Sequence, residues 1–366
     1  MPVKYLNKTA VILFLAIMLS LFRSAGAESR DQIVLRIDTA ETISKIAADN
    51  GLPVEKLLKG FKLNQNQSQM TLAEAGIQLD QAQKIIRRLK VLQATENAKN
   101  WKQIVSKFGL WILVLTAATL LLIRKKVTTR MRIFWLAGST LLFGFVYGSD
   151  PNPMGTVKDA IVLLGKEGVV FPPRLIAAAV FLLMVFISNK AICGWGCHFG
   201  ALQDLLHFVQ FKKFKLPFWI TNGIRLAVFL SIVLLAFAWG LDWVGEIDPF
   251  KLFNVSNWVL GLAGLIFTAA IMLLSLFFYR PWCQLFCPFG LAGWLAEQVS
   301  LLRPRIDRKG CLKCQKCVKV CPTQAMDGIY HDRKFRADCF ACGECIGQCP
   351  AQVINWKLKT SDKELK

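Results

Sequence analysis

From Cys311 the chain reads CLKCQKCVKVCP, and from Cys339 it reads CFACGECIGQCP. Both are C-x2-C-x2-C-x3-C-P runs. Three thiolates at this spacing wrap one face of an iron–sulfur cubane, and the proline-flanked fourth ligates the other cluster. Cys311, Cys314, Cys317 and Cys349 are therefore expected to hold one 4Fe-4S cluster, and Cys339, Cys342, Cys345 and Cys321 a second. A zinc ribbon would show two separated C-x2-C pairs rather than two evenly spaced quartets.

The expected product is a small α+β unit, a bacterial-type two-cluster ferredoxin domain over residues 305–355, with a tail at 356–366. Such a unit passes single electrons and by itself does no bond chemistry. Lys313, Lys316 and Lys319 lie among its first cysteines, where they either form a solvated face, tune a cluster, or meet an acidic partner.

The rest of the chain is a membrane protein by composition. The 366 residues are 54% hydrophobic, and the apolar residues fall in blocks. At the start, Lys4 and Lys8 precede an apolar stretch from Ala10 to Phe22 and an A-x-A site at Ala25–Ala27. This reads as a signal peptide over 1–27, so the segment after Ala27 is delivered outside the cytoplasm. Residues 28–106 contain no cysteine and repeat apolar positions at helical spacing: Ile43, Ile46 and Ala47, then Leu57 and Leu58, then Ile85, Ile86, Leu89 and Leu92. They predict a helical extracytoplasmic domain.

A transmembrane domain is expected over 107–304, with five α-helical spans near 108–123, 133–148, 174–189, 219–241 and 258–279. The linker Arg124–Arg132 carries five bases and no acid, which places it in the cytoplasm. The loop holding Asp242, Glu246 and Asp248 has only Lys251 as a base and should face out as an acidic surface loop. With an exported N-terminus and five crossings, the C-terminal cysteines are cytoplasmic. Thiols there are kept reduced and would not persist as structural disulfides. The expected location is the bacterial inner (cytoplasmic) membrane. The net charge of +21 is assigned to cytoplasmic loops and tails, not to nucleic acid, because no nucleic-acid reader motif accompanies it.

Four cysteines remain. CGWGCHFGAL at Cys193 aligns with CQLFCPFGLA at Cys283, each after a predicted span. This internal repeat puts two C-x3-C pairs at one membrane face, so Cys193, Cys197, Cys283 and Cys287 can meet. Three readings stand: a shared metal or third iron–sulfur centre, redox-active dithiols without metal, or packing by cysteine as a small hydrophobe. His198 is expected in the headgroup zone, with a ligand role as the alternative. Trp195 and Trp282 are expected as interface anchors, and Arg225 is expected to snorkel to the cytoplasmic surface. His207, on an apolar-rich stretch, carries no ligand role.

Two C-x3-C pairs followed by a double 4Fe-4S domain resemble the NapH and NosR group of membrane polyferredoxins, over roughly residues 108–355. The resemblance implies quinol oxidation, or electron supply to exported reductases or to their maturation, as in a quinol dehydrogenase-type electron-transfer subunit. It departs from the group's pattern at His198, where proline is usual, while Cys287-Pro288 keeps it. NosR-type proteins carry a flavin-binding exported domain, and residues 28–106 show no flavin attachment motif; NapH lacks so large an exported domain. The function expected is electron transfer between the quinone pool or a cytoplasmic donor and a redox protein partner such as an exported reductase. The alternative is a maturation or regulatory factor that uses its clusters for redox sensing or metal reduction. No P-loop, dinucleotide-binding glycine turn, zinc-protease helix or c-type haem motif is present.

Overall fold

The structure is a computed structural model and describes residues 35–97, 99–254 and 260–358. The expected signal peptide lies outside the described residues, as does the tail beyond Leu358.

The N-terminal unit is helical: α1 Ile43–Asp49, α2 Val54–Phe61 and α3 Leu79–Asn97. Thr42 caps α1 by accepting from the Lys45 amide, and Pro53 precedes α2. The stripes seen in the sequence close on one another. Ile43, Ile46, Ala47, Leu57, Ala82 and Ile86 are all fully buried in a core of their own.

Among the described residues, two helices are long and apolar enough to cross a bilayer, α4 Trp101–Ile123 and α9 Phe218–Trp239. At 1.5 Å per residue, α4 is about 34 Å long, matching a hydrocarbon core of ~30 Å. The other three expected spans are shorter helices: α5 Thr129–Ser139, which runs on as a π-helix over Thr140–Val146; α7 Pro172–Ser188; and α10 Leu262–Ser275.

Between α5 and α7 lies a helix absent from the sequence reading, α6 Pro153–Glu167. Its signals are local. Asn152 accepts from the Gly155 amide, Pro153 opens the helix, and Gly168 closes it with a φ of 61°. Its Glu167 receives Arg87 of α3 at 2.9 and 3.1 Å, and its main chain receives Arg88.

The long helices share the same ends. At the N-terminal end of α4, Lys99 pairs with Asp150, and at the C-terminal end Lys125 donates to the Gln352 carbonyl of the ferredoxin unit. The start of α9 lies beside that unit, where Gln324 donates to the Leu216 carbonyl. Its far end packs on α6, with Ala236 against Gly165. The ferredoxin unit and the N-terminal unit therefore sit at opposite ends of both helices.

The acidic loop is structured rather than solvated. Asp242 pairs with Lys158 at 2.6 Å, and Asp248 is buried, accepting from the Phe250 amide.

Two more helices, α8 His198–His207 and α11 Pro288–Gln298, follow the C-x3-C pairs. The ferredoxin unit is built on an antiparallel pair, β1 Leu302–Ile306 and β2 Ile354–Leu358, with Leu302 opposite Leu358 and Ile306 opposite Ile354. Ile306, Ile354 and Trp356 are buried under it. The helices α12 Lys316–Val320, α13 Ala325–Tyr330 and α14 Glu344–Gly347 complete it.

Candidate metal centres

The first cysteine run folds as a loop into α12, and the second as a loop into α14. Both loops use the left-handed region at equivalent positions, with φ 55° at Lys313 and 52° at Ala341. Cys311, Cys314, Cys317 and Cys349 line one apolar cavity together with Ile306, Leu312, Tyr330, Val353 and Ile354. The second set is also grouped: burial and then the thiols of Cys342, Cys339 and Cys321 push the Cys345 thiol well up. Each run's fourth cysteine thus joins the other run's first three. Among the described residues, no group of three or more His, Cys, Asp or Glu side chains stands close enough to hold a metal ion. All twelve cysteines are free thiols.

The C-x3-C pairs are structural repeats. Each begins on a π-helical turn, Ile192–Gly196 or Trp282–Phe286, and each ends on an extended cysteine that caps a helix. Cys197 has φ −75° and ψ 112°, and Cys287 has φ −71° and ψ 115°. The Cys197 amide donates to the Ile192 carbonyl at 2.8 Å, and the Cys287 amide to the Trp282 carbonyl at 3.0 Å. The N-termini of α8 and α11, with their free amides and positive dipole ends, therefore lie at Cys197 and Cys287. The amides of Gly200 and Phe199 bond the Cys197 thiol, and that of Gly290 bonds Cys287.

All four thiols are brought together and buried, each no more than 8% exposed. Burial pushes the Cys283 thiol up to about 12, with Cys197 adding to it. Cys287 is pushed up by burial and then by Cys283, Cys193 and Cys197. Gln203 ties the repeats together, accepting from the Trp282 amide at 3.0 Å and donating to the Cys283 sulfur at 3.6 Å.

Cations surround the pocket. Lys190 and Arg280 occupy the same place in each repeat, three residues before the first cysteine, and each reaches across to the other repeat. Lys190 donates to the Gly290 carbonyl at 2.9 Å; Arg280 donates to the carbonyls of Cys193 and Gly194. Both are fully buried. Asp204 receives Arg280 at 2.7 Å and Arg132 at 2.5 Å. Burial alone would raise the Asp204 carboxyl, but the two guanidiniums hold it at about 2.

The second cysteine loop is seated on this pocket. Trp195 donates to the Ala341 carbonyl at 2.8 Å, Arg132 donates to the Cys342 carbonyl, and Asp338 accepts from Lys190 and from Arg225. The Cys339 amide donates to Glu297 at 2.8 Å. Gly194 meets the Phe340 carbonyl so closely that a Cβ would overlap it.

Three expectations fail here because these side chains are buried inside the protein rather than held at a membrane surface. Trp195 and Trp282 are fully buried and anchor no interface. Arg225 does not snorkel to water; it is buried against Asp338. His198 is not in the headgroup zone. It is fully buried, its ring held edge-on by Phe250 and Phe253 at 5.0 and 4.6 Å, with neither nitrogen hydrogen-bonded. His207 contacts the Ser275 carbonyl at 3.2 Å. The paired Lys190 and Arg280 were missed in the sequence, although their equal offset from each C-x3-C was visible.

Comparison with known proteins matches this geometry. The 4Fe-4S binding domain family matches twice, over residues 170–217 and 260–309, one copy on each C-x3-C repeat. The 4Fe-4S dicluster domain family matches residues 303–350. YccM of Escherichia coli is 29% identical over 172 residues, covering 42% of this chain and 48% of that protein. The regulatory protein NosR of Pseudomonas aeruginosa is 26% identical over 226 residues, 56% of this chain and 30% of NosR. The ferredoxin-type protein NapH of Haemophilus influenzae is 26% identical over 184 residues, 49% of this chain and 60% of NapH. The chain therefore spans less than two thirds of the length of each of these relatives. No solved structure matches. With both 4Fe-4S families laid over the two C-x3-C repeats and the paired cysteine runs, the chain is similar to the ferredoxin-type polyferredoxins of the NapH/NosR group.

Proposed function

We propose that this polyferredoxin is a multi-pass membrane electron-transfer protein with three centres in a row. Cys311, Cys314, Cys317 and Cys349 hold the outermost 4Fe-4S cluster, and Cys339, Cys342, Cys345 and Cys321 hold the next. Cys193, Cys197, Cys283 and Cys287 hold a third iron–sulfur centre. When bound, each cluster supplies reversible one-electron exchange. The protein's part is to fix the sulfurs and set the surrounding charge. The helix ends at Cys197 and Cys287, with Lys190 and Arg280, offset the negative charge that four buried thiolates bring.

The observation that carries this reading is the seating of loop 338–342 on the four-thiol pocket through Gly194 and Trp195. It joins the second cluster's ligands to the third set through direct protein contact. Buried cations also favour a polynuclear anionic centre over plain packing, since apolar packing would have no need of them.

The N-terminal and ferredoxin units lie at opposite ends of α4 and α9, which supports an exported helical unit, five crossings and a cytoplasmic ferredoxin unit. The chain would then link a cytoplasmic carrier with the quinone pool or an exported redox partner. Reporters fused after Lys366 test the sidedness: activity of a cytoplasmic-type reporter is expected, and activity only of an exported-type reporter refutes it.

Iron and acid-labile sulfide in anaerobically purified protein test the third centre. About twelve irons per chain are expected, falling to about eight when Cys193 and Cys283 are both changed to Ser. Eight in both samples would leave the pocket as a dithiol site.

A further inference from the structure

Apart from the Lys319 carbonyl, which accepts from Lys215 at 2.8 Å, the rim of the first cysteine cavity makes few of the contacts that seat the ferredoxin unit on the membrane domain. Residues 308–319 read RKGCLKCQKCVK, five bases and no acid. Arg308 is occupied by the Tyr330 carbonyl and Asp332. Lys309, Lys313, Lys316 and Lys319 are exposed, and among the described residues their side chains form no ion pair. Amid them Leu312 is 68% exposed, and Cys314 is exposed beside it.

The second loop shows what this surface is built for. The two loops have the same backbone curl, so residues 28 apart correspond. Phe340 stands where Leu312 does, and it is buried in the seat on the membrane domain. Ala341 and Cys342, whose carbonyls receive Trp195 and Arg132, stand where Lys313 and Cys314 do. Lys316 replaces Glu344, and Lys319 replaces Gly347. One loop is thus docked through an apolar knob and its flanking main chain. The other presents the same knob to solvent, ringed by unpaired lysines.

We propose that the Leu312 loop is the docking surface for an acidic one-electron carrier protein. Leu312 forms the dry centre over Cys314, and Lys309, Lys313, Lys316 and Lys319 form the charged rim. A small apolar centre with a charged rim suits a short-lived encounter, steered by charge and released quickly. On docking, one electron leaves the reduced carrier and one enters this chain; no bond forms or breaks. An anionic bilayer would also attract lysines and take up a leucine; the exposed Cys314 thiol inside the patch favours an electron carrier instead. This proposal rests on the electron-transfer reading above.

The test uses cluster-loaded full-length protein in zwitterionic-lipid nanodiscs. An acidic flavodoxin is the probe and a basic c-type cytochrome the opposite-charge control. Oxidised flavodoxin is expected to bind, more weakly as ionic strength rises, and to form carbodiimide cross-links to Lys313 or Lys316. Lys313→Glu with Lys316→Glu should slow association roughly tenfold, and Leu312→Ser should weaken binding at every salt concentration. Equal binding by the charge-reversed variant, or tighter binding of the cytochrome, overturns the proposal. So does lysine dependence seen only with anionic vesicles.

Dithionite separates the two readings. If it reduces wild type and variants alike while flavodoxin reduces only wild type quickly, the surface is assigned. If flavodoxin reduces all of them at one salt-independent rate, the surface is wrong and electron transfer stands. If dithionite itself reduces no centre, the electron-transfer reading fails.

Discussion

Gly194→Ala is expected to loosen the ferredoxin loop from the membrane thiols while leaving every cysteine in place. The new Cβ would overlap the carbonyl oxygen of Phe340 and lie 3.0 Å from its carbonyl carbon. These are main-chain atoms, held by neighbouring bonds from Trp195 to Ala341 and from Lys190 and Arg225 to Asp338, so no rotamer change can relieve the clash. Overpacking of this kind costs about 1–3 kcal/mol, which shifts a docked-to-undocked ratio by roughly 5- to 150-fold. Iron content should hold near the wild-type value. Hydrogen exchange across residues 338–345 should speed up, and, on the proposed three-centre reading, electron passage between the ferredoxin centres and the C-x3-C centre should slow with the lost contact. Gly223→Ala is the control, because nothing lies within 4 Å of its added carbon. Wild-type exchange and wild-type electron passage in Gly194→Ala would mean that the loop does not depend on this seat.

The same contact marks the limit of what was legible in the sequence. Local chemistry was readable. The cysteine spacing led to two intertwined sets, and the structure groups Cys349 with Cys311, Cys314 and Cys317 around one cavity. Periodicity found the core stripes of α1 and α3, because burial on a helix face leaves a trace every three or four residues. Docking between units leaves no such trace. Trp195 looked like a membrane anchor because tryptophan after an apolar run usually is one; its partner, the Ala341 carbonyl, is 146 residues away. Arg225 looked free to reach water because the ferredoxin acid that meets it, Asp338, is 113 residues distant. Two signals were present but unused. Glycines on both sides of Trp195 indicate close main-chain approach, and Asn152-Pro153 with Gly168 brackets the missed helix α6.

Asp338→Asn should be among the most damaging single changes outside the cysteines. Asp338 is 3% exposed and serves two fully buried cations, accepting from Lys190 and from Arg225 at 3.0 and 3.2 Å. Burial would raise its carboxyl, yet Arg225 and Lys190 hold it below the usual range, so it stays ionised. Glu297 lies 3.9 Å from Lys190, but burial, only partly opposed by that lysine, pushes its carboxyl up to about 8. Asparagine keeps the shape and removes the charge, leaving two buried cations with one full anion fewer. Breaking a buried ionic group on one side costs about 3–5 kcal/mol, or a fall of roughly 10 °C in unfolding midpoint for a domain of about 200 residues. Heating the holoprotein while following iron–sulfur absorbance measures this directly. Asp327→Asn, at a pair with Arg333 where the carboxylate is 32% exposed, should change stability by less than about 1 kcal/mol. Adding Lys190→Met to Asp338→Asn should recover part of the loss, because the uncompensated lysine is then gone. If the double variant is instead as unstable as the two single losses added, Lys190 and Asp338 act independently, and the ionic seat of the ferredoxin loop is not what stabilises it.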